Sequence, residues 1–266
     1  MTPSTMKWNK GLKQLIFSLL PPAVWLGAWQ LGAYLVELHV EGRGNELLLP
    51  YPATVLAALL TLAGETAFWG TIFATLGRIL AGMAVGTLLG SLLAPLTCRW
   101  SWADRLLSPA IRVIRATPVA SFILLLLLWT HRGTVPAIIA GLMVLPVVWE
   151  NLCRGLGETD GQLLELARAY RFSRGKTLRL IYLPSLRPYF LSAITTSMGL
   201  AWKSGVAAEV LCLPRPGMGT EIYNSKLYLE IPDLFAWTAV VVALSLMLER
   251  LLRWALHRTK GGVDRG

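Results

Sequence analysis

Six stretches of the chain read as membrane-crossing helices, each of which needs about 20 mostly apolar residues. They cover 15–36, 71–96, 114–129, 135–149, 189–211 and 234–252. The third and fourth are short and are joined by a tight turn at His131-Arg132-Gly133-Thr134, and Pro118 and Pro146 are placed to bend or break them. After the first stretch, Leu49-Pro50-Tyr51-Pro52 forbids a continuous helix. Thr54 is then positioned to cap a short helix over 55–62, lying along the membrane surface. Between the fourth and fifth stretches, 151–188 is more polar but still periodic. Asp160 is a cap for a helix running to Tyr170, with Leu163, Leu166, Ala167 and Tyr170 on one face and Gln162, Glu165 and Arg168 on the other. Ser173 caps a second short helix, which Pro184 is expected to end. An amphipathic helix of this kind can lie on lipid, pack on its own bundle or dock in a partner's groove.

Composition sharpens the membrane reading. The chain of 266 residues is 55% hydrophobic and 15% charged, with mean hydropathy +0.55. Soluble domains carry about 25% charged residues, so there is too little charge here to cover a water-facing surface. The net charge of +10 is located by the loops. With the N-terminus inside, the inner segments 1–13, 97–115, 151–188 and 250–266 hold 3, 4, 7 and 5 Lys or Arg, whereas the outer loops hold only Arg43, Arg132, Arg215 and Lys226. That asymmetry satisfies the positive-inside rule and gives six spans with both termini cytoplasmic. The expected organisation is a cytoplasmic segment 1–13, a six-span all-α domain over 14–258 and a tail over 259–266. Lys7, Lys10 and Lys13 before an apolar run mimic a signal peptide, but no small-residue cleavage site ends the run, so it reads as a retained first span. The basic surplus marks orientation, and no aromatic-interleaved basic module points to nucleic acid.

Arg78, Lys203 and Glu209 lie within or near the ends of the spans. Intramembrane charges face a bundle interior or a cavity, so these either line a pathway, where their positive sum favours an anion, or form a structural pair such as Arg78 with Glu209. Lys203 and Glu209 are on different faces of their helix. Gly82, Gly86 and Gly90 form a small-residue ridge for close helix packing. Trp25, Trp29, Trp69, Trp100, Trp102, Trp129 and Trp149 read as interfacial anchors. Cys98, Cys153, Cys212, His39, His131 and His257 are scattered, which gives neither a disulfide framework nor a metal site. No Walker segment is present, so ATP hydrolysis, if used, belongs to another subunit and the chain itself needs no cofactor.

Several motifs together carry a resemblance. Glu165-Leu166-Ala167, Arg171 and Ile181-x-Leu183-Pro184 match the spacing of the E-A-A, three residues, G, nine residues, I-x-L-P signature of ABC-importer permeases. Leu166 replaces the first Ala and Arg171 the Gly. Leu49-Pro50-Tyr51-Pro52 is similar to that family's L-P-x-P segment. Thr75-Leu76-x-Arg78-x-x-x-Gly82-x-x-x-Gly86, Arg115-Ala116-Thr117-Pro118 with Trp129, and Ala201-Trp202 to Glu209 followed by Gly217-Met218-Gly219 resemble further family segments. The likeness is to the nitrate, sulfonate and taurine branch and covers about residues 45–258.

The resemblance implies a permease that works as a pair, a homodimer by preference. Two separate ATP-binding subunits sit beneath it, and a soluble extracytoplasmic protein delivers the solute. It implies alternating access driven by the ATPases, with a small anion such as a sulfonate, taurine or nitrate as solute. It makes the helix over 160–170 the ATPase-coupling element: Glu165 and Arg168 offer ionic contacts, Ala167 permits close approach, and Pro184 fixes the join to the fifth span, with Ile181 and Leu183 beside it. A Gly in the slot of Arg171 permits a left-handed turn, which costs a non-glycine residue about 1–2 kcal/mol. The turn is therefore expected to move towards Ser173–Gly175, or Arg171 to be helical. The rival reading is a secondary transporter or channel without an ATPase, although Glu209 is the only deep carboxylate and no acidic relay is present. A membrane-embedded enzyme is a further rival, without a visible cluster of His or carboxylates.

Overall fold

A computed structural model describes residues 10–40 and 47–260, with side chains over 20–40 and 47–255. Residues 1–9 of the expected N-terminal segment, Arg43 of the expected outer loop and the tail 261–266 lie outside it. The fold is 86% helical, and the described residues contain no strand. In chain order the helices are α1 Lys10–His39, α2 Pro52–Ala63, α3 Thr66–Arg99, α4 Ser101–Ala116, α5 Val119–Leu126, α6 Val135–Gly157, α7 Gly161–Ala169, α8 Arg174–Thr177, α9 Leu183–Cys212, α10 Met218–Leu227 and α11 Ile231–Lys260. A single π-helical turn, Leu178–Tyr182, links α8 to α9.

Five of the expected spans lie inside single helices: α1, α3, α6, α9 and α11. The third does not. Its residues are divided between α4 and α5, which meet at 104°. The cause is Pro118: it has no N–H to continue the ladder, and it forces Thr117 into extended backbone (ψ 132°). The 8 residues of α5 rise only about 12 Å, well short of a hydrocarbon core about 30 Å thick. Pro146, by contrast, sits inside an unbroken α6. Among the described residues, Thr66–Arg99, Val135–Gly157 and Ile231–Ala255 are each long and apolar enough to cross a membrane, with the bent pair as a fourth crossing if it acts as one. Of these, Ile231–Ala255 buries only 17% of its most apolar window, so most of that surface is left for lipid or another chain. α9 has 30 residues but is more polar, and Ser197, Ser204 and Glu209 are shielded within the fold.

The chain divides into two compact units. The first comprises 1–65 and 224–238. In it, Trp29 stacks on Phe235 with centroids 5.8 Å apart, and its indole N–H donates to the Pro50 carbonyl at 3.0 Å. Trp29 is thus a structural residue as well as a tryptophan near a helix end. Here α2 is capped differently from expectation. Pro52 occupies the first turn, Tyr51 is the N-cap, and Thr54 lies inside the helix with its hydroxyl donating back to the Tyr51 carbonyl at 2.7 Å.

The second unit comprises 66–223 and 239–266. Its centre is α6, flanked by α3 and α9. Val135, Ile139, Ala140, Val144 and Val148 of α6 are fully buried. The α3–α6 contact is nearly backbone to backbone. A Cβ at Gly82 or Gly86 would overlap the carbonyl oxygen of Ala137 or Gly141, and one at Gly90 would lie 2.8 Å from the Leu145 carbonyl oxygen. The Trp149 indole N–H donates to the Thr97 hydroxyl at 2.9 Å, so this residue also serves the α3–α6 packing.

Candidate functional site

Two constellations bear on function, and both belong to the second unit. The first is buried around Glu209. Its side chain has no exposed surface, although it ends a long apolar helix. Its Oε1 pairs with Nη1 of Arg78 at 2.8 Å. Its Oε2 accepts from the Thr75 hydroxyl at 2.9 Å and from the Gly219 backbone N–H at 3.1 Å. The Thr75 oxygen in turn accepts the Met218 N–H at 3.0 Å. At the end of α9, Leu213 takes a left-handed conformation (φ +54°), and the chain turns back over Glu209. Gly219 is needed at the point of closest approach, because an added Cβ would lie 2.6 Å from the Cβ of Glu209. The Thr220 hydroxyl closes the loop with a 2.6 Å bond to the Pro214 carbonyl.

The carboxylate therefore ties α3, α9 and the loop 213–219 together through three donors, one on Oε1 and two on Oε2. Of the two expectations for these charges, the structural pair of Arg78 with Glu209 is the one formed. Thr75, Met218 and Gly219 complete the cluster. Their motif segments are visible in the sequence, but their convergence depends on the turn at Leu213.

Lys203 takes no part in this network. It lies on the exposed side of α9, away from the buried face that carries Trp202, Val206 and Glu209, and among the described residues no hydrogen bond or ion pair engages it. Ser192, Thr196 and Ala207 are exposed on the same side of the helix.

The second constellation is the segment from Asp160 to Pro184. Asp160 caps α7 by accepting the Gln162 N–H at 2.8 Å, and Ser173 caps α8 by accepting the Lys176 N–H at 3.3 Å. Most of the apolar stripe of α7 is left uncovered: Leu163 is 43% exposed, Leu166 51% and Tyr170 71%. Packing on the chain's own bundle thus holds only for Ala167, which is buried. The close approach that Ala167 allows is to its own fold, and it is not a surface contact. Glu165 and Arg168 are exposed on the helix, and Arg171 is exposed just beyond it.

Arg171 departs from both expectations made for it. It holds φ +50°, the left-handed conformation itself. The Phe172 N–H bonds the Ala167 carbonyl at 2.8 Å and the Arg171 N–H bonds that of Arg168 at 3.0 Å, which is the Schellman pairing that ends many helices. Two satisfied carbonyls offset the backbone cost of an arginine there. Phe172 is further held by the Lys176 ammonium, 4.2 Å above its ring.

Pro184 also acts differently from expectation: it does not end the second helix but sits in the first turn of α9. The missing proline N–H is accommodated by the preceding π turn, where the Leu183 N–H reaches back to the Leu178 carbonyl. Ile181 is buried in this turn, while Leu183 and Pro184 are exposed. The described residues contain no His, Cys, Asp or Glu cluster able to hold a metal.

Comparison with known proteins gives the family. The profile of the family described as "Binding-protein-dependent transport system inner membrane component" matches residues 86–260. The taurine transport system permease protein TauC of Escherichia coli K12 is 27% identical over 95% of this chain and 92% of its own length. The putative aliphatic sulfonates transport permease protein SsuC of Bacillus subtilis is 28% identical over 93% and 88%. The bicarbonate transport system permease protein CmpB of Synechococcus elongatus is 25% identical over 93% and 90%. In three dimensions, a crystal structure of an amino acid ABC transporter with histidines superposes with a TM-score of 0.58 at 18% identity, covering 78% of this chain and 95% of that one. The fold, the segment 160–184 and these likenesses converge, and the chain belongs to the ABC permease family of binding-protein-dependent transport system inner membrane components.

Proposed function

We propose that the chain is a pathway-forming subunit of an ATP-driven importer for a small anion. It would work as a symmetric pair over two separate ATPases, with both termini cytoplasmic and alternating access. The observation that carries this reading is the uncovered face of α7. A capped helix that projects Leu163, Leu166 and Tyr170 into solvent beside Glu165 and Arg168 is built to be covered by another protein. The family signature supports an ATPase subunit as that protein. The relatives named for taurine, sulfonates and bicarbonate support an anionic solute. Lys203 supports it too, as a cation on the open face of α9 without an ion pair among the described residues. Arg78, neutralised by Glu209, is assigned to structure rather than to the solute.

The test is uptake into vesicles holding the permease with its ATPase, with and without ATP. Glu165→Arg combined with Leu166→Asp should release the ATPase on purification and abolish uptake, while the permease stays in the membrane. A complex that purifies unchanged would remove the coupling role from α7, and uptake without any ATPase would favour a secondary transporter.

A further inference from the structure

The sequence shows the segment after α3 only as a basic inner loop, but it folds as α4, the most strongly amphipathic of the longer helices. Three sides can be distinguished. Ala103, Ser108 and Ile111 are buried against the chain's own fold. Trp102, Leu106 and Val113 recur every three to seven residues on another side, exposed by 61%, 67% and 61%, with Pro109 among them. Arg105 and Arg112 run along one edge of that apolar strip, seven residues apart, both exposed and neither in an ion pair among the described residues. Arg115 is different because Glu150 neutralises it. The nearby Asp104 is engaged by the Ser108 hydroxyl.

The position of α4 says what covers the apolar strip. The helix starts at Ser101, with only Trp100 between it and the end of the membrane-length helix α3 at Arg99, and after Thr117-Pro118 the chain turns by 104° into α5, which is apolar apart from Ser121. Chain continuity therefore keeps α4 at the edge of the hydrocarbon layer. A helix held there, with tryptophan and leucine on one side and arginines along one edge of it, has the geometry of an interfacial helix. The neighbouring groove between α4 and α6 encloses about 340 Å3 and is lined by Arg112, Trp149 and the Arg115–Glu150 pair. Arg112 is its one uncompensated charge.

We infer that α4 is a binding surface for anionic phospholipid, its apolar strip in the acyl region and Arg105 and Arg112 on headgroup phosphates. The inference is independent of the solute and of the ATPase contact. Unpaired basic residues at an anionic surface each contribute roughly fivefold in affinity, so the pair should contribute roughly 25-fold.

The test uses the full chain in nanodiscs of equal parts phosphatidylglycerol and phosphatidylethanolamine, released into the mass spectrometer with its retained lipids. Arg105→Gln combined with Arg112→Gln should lower the phosphatidylglycerol preference by at least about fivefold, with the unfolding midpoint unchanged; a smaller fall overturns the inference. Independently, a nitroxide on Leu106→Cys, in a chain whose other cysteines are replaced, should be reached by oxygen in preference to a water-soluble nickel chelate. The reverse preference, or shielding of the label only when the ATPase or a second copy is present, would assign the strip to a protein partner instead.

Discussion

Removing the Glu209 carboxylate tests whether the buried cluster holds the second unit together. In Glu209→Ala, Arg78 loses its counter-ion, and the Gly219 N–H and the Thr75 hydroxyl lose their acceptor, all in a site with no exposed carboxylate surface. Breaking one side of such a buried pair costs about 3–5 kcal/mol. Arg78→Ala leaves the carboxylate with two of its three donors, and the Arg78 side chain is 19% exposed, so its cost should fall near the lower end, about 3 kcal/mol. Once Glu209 is gone, Arg78 has little left to lose. The double variant should therefore cost about as much as Glu209→Ala alone, which gives a coupling about equal to the cost of Arg78→Ala, about 3 kcal/mol. The assay is the unfolding midpoint of the purified protein in detergent against denaturant, with uptake measured on the folded fraction. Single effects that add to within about 0.5 kcal/mol would refute the pairing as a stability element. A raised KM for uptake in Arg78→Ala with an unchanged midpoint would return Arg78 to the solute pathway.

Other substitutions probe separate parts of the argument. Arg171→Gly should stabilise the protein by about 1 kcal/mol, the relief of the left-handed backbone less the added freedom of the unfolded chain, with uptake unchanged. No gain in midpoint would show that the φ of +50° carries no strain. Gly86→Ala should cost more than the 1–3 kcal/mol typical of overpacking, because backbone of α6 is what the new methyl meets, whereas Gly77→Ala on the same helix meets nothing within 4 Å and should be neutral or better. Equal melting of the two variants would contradict the α3–α6 packing. Lys203→Ala should lower the apparent affinity for an anionic solute by tenfold or more at an unaltered unfolding midpoint, and unchanged uptake kinetics would remove Lys203 from the pathway.

Hydropathy and capping chemistry are local, so they are legible without a structure. Five of the six apolar stretches became single helices, and Asp160 and Ser173 cap the helices they were expected to cap. The spacing of the 165–184 signature and of Gly82, Gly86 and Gly90 is likewise local information. The periodicity of Trp102, Leu106, Pro109 and Val113 was also present in the sequence, but it lay hidden in a segment read for its charge and its tryptophans.

What the tertiary structure decided is which residues meet. Thr75, Arg78, Glu209 and Gly219 converge through packing of α3 on α9 and the reversal at Leu213; Thr75 and Arg78 meet Glu209 across more than 130 residues, which no local pattern encodes. Arg171 keeps the glycine-type turn because two backbone hydrogen bonds outweigh its steric preference, a balance that depends on where Ala167 and Arg168 place their carbonyls. The stripe on α7 was equally amphipathic under every reading; only the folded chain shows that Ala167 is covered and that Leu163, Leu166 and Tyr170 are left for a partner. Periodicity tells which residues share a face, but burial depends on what the rest of the chain puts against that face.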